Sequence, residues 1–171
     1  MTRKILVILL FINFVGHSQV CDMMEIRSLY EEASYSRTLS DSLIAKLEYC
    51  KHTDVLRGYM GVSQMILAKH VFNPFKKSRL FFSGRDLLEK VISDDSENIE
   101  LRFLRFCVQS SAPNFLGYNN SIKEDEKMIK NRYKALDDQD LMHRIESYFN
   151  QPMSVDINFT SPNERTSNLS R

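Results

Sequence analysis

Helical periodicity runs through almost all of this chain, and no other feature limits the fold as strongly. Between residues 22 and 150, apolar residues recur every three or four positions, which places them on one face of an α-helix. Alternation typical of strands is almost absent before residue 150, and glycine and proline are scarce, at five and four in 171 residues. The sequence therefore predicts an all-α fold of one domain, with about seven helices in successive antiparallel pairs.

Breaks in the apolar pattern and capping residues divide this stretch into helices. Ser121 and Glu124 are spaced as a capping box at the start of the sixth helix. Gly58 and Gly61 lie inside the third helix, where glycine costs about 1 kcal/mol relative to alanine. We expect a neighbouring helix to approach closely there, with a loosened or kinked helix as the alternative. The predicted ranges are 22–35, 40–52, 55–72, 74–92, 97–110, 122–136 and 139–150.

The stretch HVFNPFKKSRLFF, residues 70–82, contains a histidine, three basic residues and four phenylalanines. Asparagine is among the best N-cap residues and proline is favoured at the first helical position. Asn73 and Pro74 therefore predict the end of the third helix and the start of the fourth. Lys77 lies four residues before Phe81 on the inward side, so we expect it to be partly buried and paired with a carboxylate.

The N-terminus has the pattern of a secretory signal peptide. Arg3 and Lys4 precede an apolar segment of 11 residues, 5–15, and small residues follow at Gly16 and Ser18. Eleven helical residues rise only about 16 Å, against roughly 30 Å for the hydrocarbon core of a bilayer. The sequence therefore predicts export, with no transmembrane helix left after cleavage. An uncleaved N-terminal anchor is the less favoured alternative.

Three parts follow from this pattern: a signal peptide at 1–18, a helical domain at 19–150, and an extended or disordered tail at 151–171. A lipid anchor at Cys21 is the less favoured alternative, because a lipoprotein signal needs a small residue before the cysteine and Val20 is not small. We expect a periplasmic or secreted protein.

Charge and cysteine content narrow the classes of protein further. Removal of the two basic residues of the leader lowers Lys plus Arg from 23 to 21, against 22 Asp plus Glu. Nucleic-acid binders carry a basic excess, so that class is disfavoured.

The three cysteines, Cys21, Cys50 and Cys107, allow one disulfide. Cys21–Cys50 is the favoured pair, because Cys107 lies in a strongly apolar run.

Part of the fourth helix resembles the second half of a tetratricopeptide repeat. Gly84, Leu88 and Val91 fall at its small, large and small positions, although Val91 is larger than usual there and Ser96 replaces the expected proline. The first-helix signature of the repeat does not occur before Gly84 at the required distance. The resemblance, over about twenty residues, implies a tetratricopeptide-like array of paired helices.

A longer run is similar to an uncharacterised family of small exported bacterial proteins. The similarity rests on the segments LAKHVFNPFKK, LLEKVI, IELRFLRF and APNFLGY, in that order between residues 67 and 125. It implies a helical fold, export and a bacterial source. It implies no activity and no catalytic residues.

A polar stripe on the apolar fifth helix is the best candidate for a site. Arg102, Arg105 and Gln109 share one face, and Asn98 extends it. Buried guanidinium groups must meet anions or reach water. We interpret the stripe as a structural network, with an anion-binding groove as the functional alternative. The carboxylates that could complete it are Asp86, Glu89, Glu100 and Asp125.

The loop after the fifth helix is a second candidate. Phe115, Leu116 and Tyr118 surround Gly117, and together they could form an exposed aromatic surface for a peptide or another ligand. The favoured interpretation is that they pack onto the core, with Gly117 in a turn.

Standard catalytic motifs are absent from the sequence, and no metal or cofactor is predicted. A nucleophile pair of Cys107 and His70 is a formal alternative, but a buried cysteine packs most often as a small hydrophobe.

The leading hypothesis is an exported, non-enzymatic interaction or scaffold protein that binds a peptide or protein. The alternatives are a periplasmic carrier of an apolar or anionic small molecule between helices, and an unrecognised enzyme.

Overall fold

The computed structural model describes residues 20–51 and 53–150, and this part of the chain forms seven α-helices. The all-α prediction is confirmed. The helices are α1 (Met23–Ala33), α2 (Arg37–Tyr49), α3 (Asp54–Lys69), α4 (Pro74–Asp94), α5 (Ile99–Ser111), α6 (Ile122–Arg132) and α7 (Gln139–Asn150).

Polar side chains start most of these helices by accepting a hydrogen bond from a backbone N–H of the first turn. These caps are Asp22, Ser36, Thr53, Asn73, Asn98 and Asp138. Pro74 follows Asn73 at the first position of α4, as predicted. α3 ends at Lys69, three residues before the predicted end. α2 begins at Arg37, earlier than predicted, because Ser36 supplies its cap.

The capping box predicted for α6 is wrong. Ser121 makes no side-chain capping bond within the described part of the chain, and its backbone N–H donates to Gln109 Oε1 at 3.0 Å. The Glu124 carboxylate accepts from Arg102 Nη1 at 2.9 Å. Both groups are therefore engaged by α5, and the start of α6 is fixed by its neighbour rather than by its own first turn.

The helices are arranged in two rows. α1, α3 and α5 contact one another, and each packs against the even-numbered helix that follows it. α1, α3 and α5 therefore form an inner row, with α2, α4 and α6 outside it. α7 returns to this row, because its side chains bond to α1 and its aromatic rings pack against α5.

α3 and α4 form the closest pair, and glycines permit it. A Cβ atom on Gly61 would lie 2.7 Å from the carbonyl oxygen of Gly84, and a Cβ on Gly84 would meet the carbonyl oxygen of Gly61. A Cβ on Gly58 would meet the side chain of Leu101 on α5. The predicted close approach is confirmed: α3 touches α4 through backbone and α5 through a side chain.

α5 is the central helix, because every residue from 99 to 109 is buried. One side faces the main core formed with α1 to α4. The other side faces a second cluster, in which Phe103 and Phe106 pack with Ile129 of α6 and with Leu141 and Ile145 of α7. The predicted central position of this helix is confirmed.

A disulfide joins Cys21, just before α1, to Cys50 at the end of α2, with the two Cα atoms 5.5 Å apart. The favoured pairing is confirmed. Cys107 is a free, buried thiol. The bridge closes the α1–α2 hairpin at the end of the molecule where α3 begins.

The predicted leader at 1–18 and the predicted tail at 151–171 lie outside the described residues. Within the described ranges, none of the helices combines the length and the hydropathy needed to cross a lipid bilayer.

Candidate functional sites

Arg102 and Arg105 converge on one buried carboxylate, which we call the Asp125 network. Asp125 is 0% exposed, and the two arginine side chains are 10% and 7% exposed. Arg105 donates through Nε and Nη2 to the two Asp125 oxygens, each at 2.7 Å, and Arg102 Nη1 donates at 2.9 Å. Burial alone would lower the pKa of Arg105, but its hydrogen bonds with Asp125 and the charges of Asp125 and Glu89 raise it.

The network extends to two turns of the chain. Glu89 on α4 accepts from Arg105 Nη1 at 2.8 Å and from the hydroxyl of Tyr118. Arg102 Nε donates to the carbonyl oxygen of Ser96 at 2.8 Å, and Gln109 accepts from the backbone of the α5–α6 turn. The stripe on α5 therefore ties α4, α6 and both flanking turns together, which is the behaviour of a structural network.

Two of the four candidate carboxylates lie elsewhere. Asp86 pairs with Arg85 on the exposed side of α4. Glu100 faces α1 and α3, where it accepts from Arg27 at 2.7 and 2.9 Å and from Tyr59 Oη at 2.8 Å. Glu100 was expected to pair with Arg102 and Arg105. This prediction is wrong, because Glu100 lies on the opposite side of α5.

Arg27 is the centre of a second buried cluster, the Arg27 network, which the sequence analysis missed. Its side chain is 3% exposed. It donates to Asp138 Oδ2 at 2.7 Å and to Asp140 Oδ2 at 2.8 Å, both at the start of α7. A sign of it was in the sequence, because Arg27 lies between Ile26 and Tyr30 on the apolar face of α1. One arginine thus connects α1, α5 and α7.

The two α7 carboxylates are held in their charged forms. Hydrogen bonding from Arg27 lowers the pKa of Asp138. Burial alone would raise the pKa of Asp140, but hydrogen bonds from Arg144 and Arg27 outweigh it and lower that pKa. Arg144 also pairs with Glu31 of α1 at 2.6 Å, so α7 is attached to α1 at two points.

The aromatic loop is divided between core and solvent. Tyr118 is buried, and its ring lies 6.2 Å from that of Phe81 between centroids. Leu116 packs against the main core. Phe115 is 78% exposed, and Gly117 adopts a left-handed conformation with φ 61°. Most of the loop therefore packs inward, and Phe115 alone of its three apolar residues is exposed.

The corner between α3 and α4 exposes two aromatic side chains. Phe72 is 94% exposed and Phe75 is 86% exposed. Lys76 and Arg79 are exposed beside them and form no ion pair within the described residues. We call these four residues the basic aromatic corner. Lys77, on the same turn of α4, has intermediate exposure.

A sequence signal for this corner existed and was missed. Residues 55–85 contain six Lys and Arg residues and no Asp or Glu, although the whole chain has 23 Lys and Arg against 22 Asp and Glu. Phe75, Arg79 and Phe82 are also spaced i, i+4 and i+7, so they share one outward face of α4. The guanidinium group of Arg85 lies over the Phe82 ring at 4.8 Å. Cationic and aromatic groups are thus concentrated on one face.

A half-open cavity of about 270 Å³ lies between α1, α5 and α7. Its wall includes Tyr30, Phe103, Cys107, Arg144 and Tyr148. Burial raises the pKa of the Cys107 thiol far above its usual range, so this thiol stays protonated and is a poor nucleophile. Neither Arg102 nor Arg105 lines this cavity.

Among the described residues, no three His, Cys, Asp or Glu side chains are grouped so as to hold a metal ion.

Comparison with family models finds no match to the chain, and comparisons with curated proteins and with solved structures find none either. The similarity to tetratricopeptide repeats and to a family of exported bacterial proteins therefore stays a prediction.

Proposed function

We propose that this chain is an exported, non-enzymatic interaction protein that binds an acidic protein partner through the basic aromatic corner. The observation that supports this proposal is the exposure of Phe72 and Phe75, at 94% and 86%. A phenylalanine side chain so exposed forfeits about 1.5–3 kcal/mol of burial free energy. Adjacent exposed aromatic side chains are typical of contact surfaces rather than of inert ones.

The corner is suited to act as a rigid anchor. The Asn73 side chain caps α4 with a bond to the Lys76 N–H at 3.0 Å, and Pro74 fixes the backbone between the two phenylalanines. Little conformational entropy is therefore lost when a partner encloses these rings. Aromatic anchors of this kind carry much of the binding free energy in protein interfaces.

The charges around the corner indicate the chemistry of the partner. Lys76 and Arg79 flank the rings, and no carboxylate side chain occurs in residues 55–85. A partner with an apolar pocket rimmed by Asp or Glu would match both features. The buried arginines do not compete for this role, since carboxylates of the chain itself occupy them.

Export is part of the same proposal. The apolar segment at 5–15 has the features of a signal peptide, and disulfides such as Cys21–Cys50 persist in oxidising compartments. A Cys21 bound in a disulfide has no thiol for a lipid thioether, so we favour a periplasmic or secreted protein over a lipoprotein.

The test compares partner capture by the exported wild-type protein and by Phe72→Ser/Phe75→Ser. After crosslinking in the native cell envelope, mass spectrometry should identify a protein that the double variant captures at least tenfold less, since two anchors contribute about 2 kcal/mol each. Tyr49→Ser, which alters a ring that is 75% exposed at the end of α2, is the matched control and should capture the partner normally.

Two results would overturn this proposal. One is capture of the same proteins by the double variant and the wild type. The other is sedimentation of the wild type, but not the double variant, with phosphatidylglycerol vesicles while no protein partner depends on Phe72 and Phe75. In that case the corner binds an anionic membrane rather than a protein.

The double variant Lys76→Glu/Arg79→Glu tests the charges of the corner. It should weaken capture of the partner and reduce the dependence of capture on salt concentration.

A further inference from the structure

The C-terminal end of α3 is attached to the turn between α1 and α2, which comprises residues 34–36. Lys69, the last residue of α3, donates through Nζ to the carbonyl oxygen of Ser34 at 3.2 Å, and Ser34 is buried. His70 follows as the C-cap of α3, and its backbone N–H donates to the carbonyl oxygen of Leu67 at 3.0 Å. His70 is therefore held at the point where α3 meets this turn.

One nitrogen of the His70 ring is buried without a partner. Nε2 is shielded from solvent and forms no hydrogen bond with any atom of the described residues. In a neutral imidazole one nitrogen carries no hydrogen, so Nε2 can be buried without leaving a donor unpaired. In the imidazolium both nitrogens carry a hydrogen, and Nε2 would then be a buried donor with no acceptor, which is costly. The packing of this ring therefore requires its neutral form.

The charges around the ring also oppose a positive charge on it. Lys69 precedes His70 on α3, Arg37 and Asp41 act on the ring from α2, and the α1–α2 turn contacts it through the Ala33 backbone. Asp41 is itself paired with Arg37, whose Nε lies 3.4 Å from the carboxylate, so the three charged groups together carry one net positive charge. Burial and then the charge of Lys69 lower the pKa of His70 from 6.5.

We propose that His70 is a pH-sensitive switch, which holds the end of α3 against the α1–α2 turn while its ring is neutral and releases it when the ring is protonated in mildly acidic surroundings. Phe72 follows His70 by two residues, so release also frees the first residue of the basic aromatic corner to move. The switch is a property of the fold, and it does not depend on the function proposed for that corner.

A released ring takes up a proton more readily than the packed ring. Its pKa in solvent is about 6.5, and that of the packed ring is lower. The stability that the packed ring contributes is therefore complete above about pH 6.5 and is lost as the pH falls through the pKa of the packed ring. Between pH 7.5 and pH 5.5, the equilibrium constant for release should rise up to about tenfold, the limit for a packed ring that stays neutral.

The test measures amide hydrogen exchange of the exported, disulfide-bonded protein at pH 7.5 and pH 5.5, with rates corrected for the intrinsic pH dependence of exchange. In the wild type, protection of the last turn of α3, residues 66–69, should fall up to about tenfold at the lower pH, while that of α5 stays nearly constant. His70→Gln keeps a polar side chain that cannot be protonated, so its protection should hardly change with pH. His143→Gln, which replaces an exposed histidine of α7, is the matched control and should behave as the wild type.

An NMR titration of the His70 ring in the wild type provides a second measurement that needs no variant. The ring should titrate below about pH 6.5, the value for a solvated histidine. The proposal is overturned if the ring titrates at or above that pH, or if the wild type and His70→Gln lose the same protection in acid. It is equally overturned if protection falls to the same extent in all helices, because the effect would then be on global stability rather than on one contact.

Discussion

The two buried ion networks on opposite sides of α5 are built in opposite ways. In the Asp125 network, one fully buried carboxylate is held by two arginines of a single helix. In the Arg27 network, one buried arginine holds three carboxylates that come from α5 and from the start of α7. The first has an anion at its centre and the second has a cation.

The two networks also differ in the helices that they join. Asp125 is fully buried, whereas the outer carboxylates of its network, Glu89 and Glu124, are 37% and 67% exposed. Asp138 and Asp140 are 45% and 19% exposed, so both networks reach solvent at their outer carboxylates. The Asp125 network joins α4, α5 and α6 around the central helix, whereas the Arg27 network attaches α7 to α1 and α5.

Asp125→Ala should have the largest effect. It leaves Arg102 and Arg105 buried without their shared counter-ion, and breaking a buried pair in this way costs about 3–5 kcal/mol. Urea unfolding followed by circular dichroism should show a lower midpoint. Glu126→Ala, which removes a partly exposed α6 carboxylate paired with Lys130, is the control and should cost less than about 0.5 kcal/mol. Equal midpoints for both variants would show that the Asp125 network contributes nothing to stability.

Arg27→Met should have the next largest effect, about 2–4 kcal/mol, because Glu100 stays buried with Tyr59 as its remaining partner. Amide hydrogen exchange gives the sharper readout. Protection should fall first in α7, while α6 keeps its protection. Arg132→Met, which breaks an exposed pair with Glu97, is the control. Uniform loss of protection in all helices would contradict the assignment of the Arg27 network to α7.

Asp138→Asn/Asp140→Asn should have the smallest effect at neutral pH and a clear one on pH dependence. Both carboxyl groups have a folded-state pKa lowered from 3.8, so the folded chain binds fewer protons than the unfolded chain. The stability they contribute is complete above that unfolded pKa and is lost as pH falls through the folded pKa. The double variant should lose less stability than the wild type between about pH 5 and pH 3.

The double variant should keep the α7 cap, since an asparagine side chain caps a helix as well as an aspartate does. A change in pH dependence therefore reports on charge rather than on loss of the cap. Urea midpoints measured at each pH provide the comparison. Parallel curves for the wild type and the double variant would remove these carboxylates from the acid response.

The arginines of the Asp125 network were predicted from the sequence, whereas the Arg27 network left one sign, the position of Arg27 on the apolar face of α1, and its partners could not be predicted. Arg102 and Arg105 recur with helical spacing in an apolar run, so periodicity alone identified them. The partners of Arg27 lie 73 and 111 residues away, and no local pattern encodes such distances. Helix α5 is buried on all sides, so its sequence gives no indication of which way Glu100 faces.

The exposed corner and the cavity also could not be predicted from the sequence, for similar physical reasons. Asn73 and Pro74 determine a helix boundary through local backbone preferences, yet the exposure of Phe72 and Phe75 depends on which helices lie beside that boundary. The cavity near Tyr30 arises from how α7 packs across α1 and α5. A volume left between helices has no counterpart in periodicity, so it could not be predicted.

The backbone contact between Gly61 and Gly84 also bears on the order in which the chain folds. The two helices it joins are consecutive, and a turn of four residues separates them, so little loop entropy opposes their pairing. We expect the α3–α4 hairpin to be formed in the folding transition state. Gly84→Ala should then slow folding more than it speeds unfolding, whereas Ile145→Val in α7 should mainly speed unfolding. Stopped-flow kinetics that show the reverse would place nucleation elsewhere in the chain.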